Sequence, residues 1–281
     1  MNPCQLDWPA SAIAHNLQPF WPGMAVEVLA ETASTNTLLM ERAREGLLAP
    51  MLVVTERQTA GRGRMGRTWH SNQPVGEALT FSIGVPLPPR ADLSGLSVVV
   101  GCAVAQALDP RDQHGLRVKW PNDLWFAQRK LAGVLVEIST QGGHSYAVIG
   151  TGINIAPPPP LPAATQGQAQ VLPPAWVQEF APQVTAPEVL HQIAPPLVHA
   201  LQQFLHTGFA PWQARFAERD ALAGQPVWLS DGSRGVAQGV NAQGALRIHT
   251  GAAIREVRSE EVSVRPLRGG NGAVAQSEPM R

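Results

Sequence analysis

Gln58-Thr59-Ala60-Gly61-Arg62-Gly63-Arg64-Met65-Gly66-Arg67-Thr68-Trp69 sets three arginines among three glycines. Glycine lets backbone N–H groups come close to an anion, and arginine adds fixed charge with forked donors. The segment therefore suits a phosphate, or a phosphate flanked by a planar ligand. Gly61, Gly63 and Gly66 satisfy G-x-G-x-x-G, and Gly61 to Thr68 reads as a P-loop with Arg67 in place of its lysine. Both patterns require a helix directly afterwards, because its N-terminus holds the phosphate. Here Trp69-His70-Ser71-Asn72-Gln73-Pro74 follows instead. Next, Leu79, Phe81, Ile83 and Val85 alternate with Thr80, Ser82 and Gly84, the period of a half-buried strand. The loop joins two strands, which argues against a doubly wound nucleotide fold. A solvated basic loop is the competing reading of this segment alone.

Working outward, Ala25 to Leu29 and Met51 to Val54 read as strands on the N-terminal side. Ser34-Thr35-Asn36 between them caps a helix bearing Leu38, Leu39, Ala43 and Leu47. On the other side, Asp92 is placed to cap a helix with Leu93, Leu96, Val99, Val100, Ala103, Val104, Ala107 and Leu108 at 3.6-residue spacing. Leu116, Val118 and Trp120 alternate with Arg117 and Lys119, and Val134 to Ile138 and Tyr146 to Ile149 look like interior strands. Strands outnumber helices and partly follow one another directly, which predicts an α+β fold with a mixed sheet.

Residues 1–24 are rich in Pro and Trp, show no periodicity, and read as an N-terminal extension. Too little chain precedes the first strand for a helix-turn-helix, so a DNA-binding role is not expected. Residues 25–220 form the main domain, with Pro157 to Pro174 as a long surface loop. Glu188 to Arg219 is helical, with a break expected at Pro195-Pro196. Residues 221–268 change to short strands such as Val227 to Ser230, Gly235 to Val240, Ala245 to His249 and Glu261 to Val264, the texture of a small β-barrel. Residues 269–281 read as a mobile tail.

The 281-residue chain is 44% hydrophobic and 15% charged with formal net charge +0, so a sizeable core forms and binding of nucleic acid by charge alone is disfavoured. Cys4 and Cys102 make neither a disulfide framework nor a zinc site. Neither a signal peptide nor a membrane-length apolar run is visible, so a cytoplasmic protein with no membrane partner is expected.

Three further clusters carry chemistry. Lys119-Trp120-Pro121-Asn122-Asp123 projects an amide and a carboxylate from a strand end, suiting a nucleotide, magnesium, or an ordinary turn with an ion pair. Arg129-Lys130-Leu131-Ala132-Gly133 places two cations before a small-residue strand entry. Gly150-Thr151-Gly152-Ile153-Asn154 follows a buried strand with glycines expected to expose backbone N–H groups.

Taken in order, the S-T-N helix start, the GRGRxGRxW loop, KWPND, K-L-A-G and G-x-G-I-N closely resemble the motifs of the biotin protein ligase family, in its form without a DNA-binding domain. The resemblance covers the region between Ser34 and Asn154, and the last fifty residues only by texture. It implies a sheet like that of class II aminoacyl-tRNA synthetases plus a C-terminal SH3-like barrel. It also implies ATP-dependent formation of biotinyl-5'-AMP, then transfer to a lysine of a biotin carboxyl carrier protein, with magnesium carried by ATP. By the same resemblance, Ser34, Thr35, Asn36, Gln58, Gly61, Arg62, Gly63, Arg64, Lys130 and Gly133 face biotin. Arg64, Arg67, Trp69, Lys119, Asn122, Asp123, Lys130 and Asn154 face the nucleotide. Lys130, Asp123 and Arg64 take catalytic parts, with Asp123 as base or orienter. A lipoate or octanoate ligase on the same fold is the nearest alternative.

Overall fold

The computed structural model describes residues 4–69, 74–157, 173–258 and 264–266. The chain forms helices α1 (Ala10–Leu17), α2 (Thr35–Arg44), α3 (Leu96–Leu108), α4 (Ala186–Thr207) and α5 (Trp212–Arg219). Its first sheet comprises β1 (Ala25–Thr32), β2 (Met51–Gln58), β3 (Ala78–Leu87), β4 (Arg117–Lys119), β5 (Asp123–Phe126), β6 (Arg129–Gln141) and β7 (His144–Asn154). The spatial order is β1-β2-β3-β7-β6-β5-β4. β1 and β2 are parallel and cross over through α2, while the other neighbours pair antiparallel. This is the mixed-sheet α+β class that the pattern predicts.

The two faces of the sheet are covered differently. Leu79, Phe81, Ile83 and Val85 of β3 and Ile149 and Ile153 of β7 pack into one large core with α3 and α4. α2 covers the opposite face, setting Leu39, Met40 and Ala43 against Val53, Tyr146 and Val148. Burying such apolar side chains contributes about 1.5–3 kcal/mol each, which is what holds the layers together.

Several expectations need correction. Part of the N-terminal stretch is helical: α1 buries Ile13 and Leu17, an i, i+4 pair too short to register as periodicity. The helix capped by Ser34 ends at Arg44, and Leu47 lies beyond it, 59% exposed. Asp92 accepts from Ser94 N at 2.9 Å instead of capping α3, whose N-cap is Gly95. α4 runs unbroken through Pro195 and Pro196. Pro196 is exposed and Pro195 half-buried, so the carbonyls that lose their partners lie toward water. Val189, Leu190, Ile193, Leu197, Val198, Leu201 and Phe204 hold both halves against the core. The helical region breaks instead at Gly208, φ 68°.

The C-terminal sheet holds β8 (Pro226–Leu229), β9 (Arg234–Val240), β10 (Leu246–His249), β11 (Ile254–Val257) and β12 (Val264–Pro266), all antiparallel, in the order β11-β10-β9-β8-β12. Its Gly244 carbonyl accepts from the buried Trp120 indole N–H at 2.9 Å. A Cβ at Gly244 would lie 2.8 Å from Gly95 Cα, so only glycine permits this approach. The interior of the proline-rich stretch (158–172) and the tail (267–281) lie outside the described residues. Among the described residues, no helix is long and apolar enough to cross a membrane.

Candidate functional site

The start of α2 meets β2, β3 and β6 in a cleft whose floor is polar yet buried. Ser34, Thr35, Asn36, Gln58 and Ser82 are each at most 5% exposed. Such groups are tolerable only when wired together. Thr35 N donates to Gln58 Oε1 at 2.9 Å, and Thr35 Oγ1 lies 2.6 Å from Ser82 Oγ. Ser82 Oγ donates to Asn36 Oδ1 at 2.6 Å, and Asn36 Nδ2 donates to Glu137 Oε2 at 3.0 Å. Ser34 accepts from Thr37 N at 3.4 Å, the cap its position predicts.

The glycines of the G-x-G-I-N segment do something other than offer N–H groups to a phosphate. They lie inside β7, paired with β3 on one side and β6 on the other. A Cβ on Gly150 would sit 2.2 Å from Asn36 Oδ1, and one on Gly152 would sit 2.4 Å from Trp69 Cε2. Their bareness makes room for an amide and an indole. The Trp69 indole nitrogen is buried over Gly152 without a hydrogen-bond partner among the described residues.

The rim is cationic. Asp123 pairs with Gly133 and Leu124 with Ala132, but Trp125 pairs with Lys130, so Leu131 is an extra residue. This bulge buries Leu131 in the core and turns Lys130 onto the Gly133 side of the sheet. There Lys130 Nζ lies 2.6 Å from Asp123 Oδ1 and 5.8 Å from the Trp69 ring centre. Ala127 and Gln128 make the preceding turn with φ 46° and 60°, left-handed without the usual glycine. Lys119 stands 5.3 Å over the Trp125 ring. Arg64 Nη1 donates to Asn122 Oδ1 at 3.4 Å, and Asn122 Nδ2 is fixed on the Val134 carbonyl at 2.9 Å.

The arginine loop folds back on itself, Gly63 N donating to the Arg67 carbonyl at 2.7 Å and Trp69 N to that of Gly61 at 3.0 Å. Arg62 is held by Glu137 at 2.8 Å. Every site residue singled out from the sequence lines this one cleft except Gly61 and Asn154. Gly61 turns its carbonyl to Trp69 N, and Asn154 Nδ2 donates to the Ala175 carbonyl at 3.0 Å, bracing the strand end. Sequence reasoning missed Ser82 and Glu137 as parts of the network. The polar side of the alternating β3 run signals Ser82; nothing in the pattern singles out Glu137. Among the described residues, no group of three or more His, Cys, Asp or Glu could hold a metal.

A family model described as the Biotin/lipoate A/B protein ligase family matches residues 28–154. The bifunctional ligase/repressor BirA of Escherichia coli is 35% identical over 251 residues, which cover 86% of this chain and 75% of that one. The chain belongs to the biotin protein ligase family. A biotin–[acetyl-CoA-carboxylase] ligase of Paracoccus denitrificans is 33% identical over 242 residues, covering 84% of this chain and 98% of that relative. The solved structure of a biotin protein ligase from Aquifex aeolicus in complex with biotin and ATP superposes with TM-score 0.69 at 29% identity, over 86% of this chain and 99% of that one. The family's shared region in this chain runs from β1 through β7, the sheet that carries the cleft.

Proposed function

We propose that this chain joins biotin to ATP as biotinyl-5'-AMP and then passes the biotinyl group to a lysine of a biotin-dependent carboxylase. One observation carries the reading: a buried, wired polar floor opens directly onto a cationic rim in a member of this family. Biotin's ureido ring offers two N–H donors and a carbonyl, and Thr35, Asn36 and Gln58, with Ser34, match that demand. The dithiolane of lipoate offers no N–H, and would leave such a floor without partners.

A carboxylate is a poor acyl donor because oxide would have to leave. Its oxygen attacks the α-phosphorus of ATP, the bond to pyrophosphate breaks, and the acyl group gains AMP as a leaving group. Negative charge gathers on the phosphates in this step, and the guanidinium and ammonium groups of Arg64, Arg67, Lys119 and Lys130 stand on the rim to stabilise it. Magnesium belongs with the nucleotide, since the rim presents Asp123 already engaged with Lys130 and the amide of Asn122. When bound it neutralises part of the triphosphate charge. In the second step a carrier lysine attacks the acyl carbon, AMP departs, and the amine loses a proton. Asp123 orients Lys130 and stands where that proton leaves. The acceptor is a biotin carboxyl carrier domain, and the arginine loop closes over the adenylate to keep water out.

Incubation with ATP, magnesium, labelled biotin and a biotin carrier domain should label the carrier, with lipoate failing to compete. Labelling by lipoate instead of biotin, or none from either, contradicts the proposal.

A further inference from the structure

Glu137 of β6 touches both the roof and the floor of the cleft. Its carboxylate accepts a forked pair from Arg62, Nη2 to Oε1 at 2.8 Å and Nη1 to Oε2 at 3.3 Å. Oε2 also accepts from Asn36 Nδ2 at 3.0 Å. Arg62 belongs to the loop, Asn36 to the floor. An exposed ion pair alone contributes little, and the Arg62 side chain is 49% exposed. The weight lies in the link to Asn36, which is buried.

An ionised carboxylate accepts and never donates, so it dictates the polarity of whatever it touches. Facing Glu137, and the Leu135 carbonyl at 3.3 Å, Asn36 must present its NH2. Its Oδ1 is then turned to Ser82, whose single hydroxyl proton is committed there. Ser82 Oγ is left to accept from Thr35. The Glu137 charge, with the Leu135 carbonyl, thus sets the direction of the hydrogen bonds that run from Asn36 through Ser82 to Thr35. Thr35 gives its proton inward and offers lone pairs to a donor in the cleft.

We infer that Glu137 is a positioning residue with two linked tasks: it sets the acceptor pattern of the floor, and it latches the Arg62 loop over it. This rests on reading the cleft as the biotin-activating site. A ligand that is recognised by its N–H groups and must then be shielded from water meets both conditions through one side chain.

Glu137→Gln keeps the shape but sets its NH2 against a donor whichever way the amide turns, Asn36 on the floor or Arg62 on the loop. It should raise the KM for biotin about tenfold, with kcat for pyrophosphate exchange within about twofold of wild type and the melting temperature little changed. Adenylate formed without acceptor should escape to hydrolysis roughly threefold to tenfold faster, as it should in Arg62→Ala. A purely structural role would lower kcat and the melting temperature together with the biotin affinity, and would not split KM from kcat. In the ligand-free protein, amide exchange across residues 60–69 should rise in Glu137→Gln and in Arg62→Ala. Wild-type KM and exchange in Glu137→Gln, or a kcat and melting temperature that fall along with the biotin affinity, overturns the inference. If the unaltered protein formed no biotinyl-adenylate the ligase reading would fail, while the exchange measurement would still decide the latch.

Discussion

The two faces of the ribbon β3–β7–β6 are built from the same strands on opposite rules. On one face Leu79, Phe81, Ile83, Ile149 and Ile153 pack against helices, and apolar contact alone holds them. On the other, Thr80, Gly150 and Gly152 line the cleft and Ser82 is bonded to Thr35 and Asn36 of α2, so the buried polar side chains of the floor depend on one another. The apolar face tolerates exchange of one hydrophobe for another of similar volume. The polar face does not, because the position of each atom depends on a neighbour's hydrogen bond or on a missing Cβ. Chemistry is concentrated where the packing is least forgiving.

The largest effect should come from the rim of the polar face. Lys130→Ala removes a cation from the developing phosphate charge, and biotin-dependent pyrophosphate exchange should fall about 10²–10³-fold. A near-wild-type rate would remove Lys130 from adenylation. Gly152→Ala should come next. Its new Cβ meets the Trp69 ring, at 2.4 Å before relaxation, and displaces the end of the loop. Overpacking of this kind should raise the biotin KM roughly tenfold or more. An unaltered KM would mean that Trp69 has no part in the cleft.

On the apolar side the readout is stability, not rate. Asp220, after α5, hydrogen-bonds Leu222 N at 2.8 Å through Oδ1, while Oδ2 is buried without a partner among the described residues. Burial pushes its carboxyl up to about 6 from 3.8, against the opposing pull of the Leu222 N–H. A raised carboxylate pKa means that the folded state favours the proton. Stability from this group is therefore present at about pH 4 and lost as pH rises through about 6. Asp220→Asn should melt several degrees above wild type at pH 8 and alongside it at pH 4, by calorimetry at both pH values. A gap that is the same at both would refute the sign. The smallest effect is expected at Thr151, which also borders the cleft, although alternation sets its side chain with Ile149 and Ile153. Its hydroxyl is buried with no hydrogen-bond partner among the described residues. Thr151→Val should raise the melting temperature by roughly 2–4 °C and leave the biotin KM alone. A weakened KM would move Thr151 to the other face.

Much of this division was legible beforehand. The alternation of Leu79–Val85 separates the faces, and Ser34-Thr35-Asn36 announces both a cap and a polar cluster. The rim residues came together because strand ends and loops place charge at one edge of a sheet. The bulge at Leu131 was not legible, since an extra residue alters register without altering composition. Gly150 and Gly152 differ from expectation because a glycine that yields space to a side chain from a distant part of the chain looks, in sequence, like one that exposes its backbone. Glu137 was invisible for a similar reason: a charged residue in a strand reads as solvent-facing until the loop that covers it is placed. The unbroken α4 shows tertiary packing overriding two prolines.

The most direct test of the polar face as the place of biotin activation is a crystal structure of this chain with biotin and ATP. The ureido ring should lie against Thr35, Asn36 and Gln58, with Arg64, Arg67, Lys119 and Lys130 turned to the phosphates. Either ligand bound elsewhere, or those four side chains directed into solvent, would contradict the assignment.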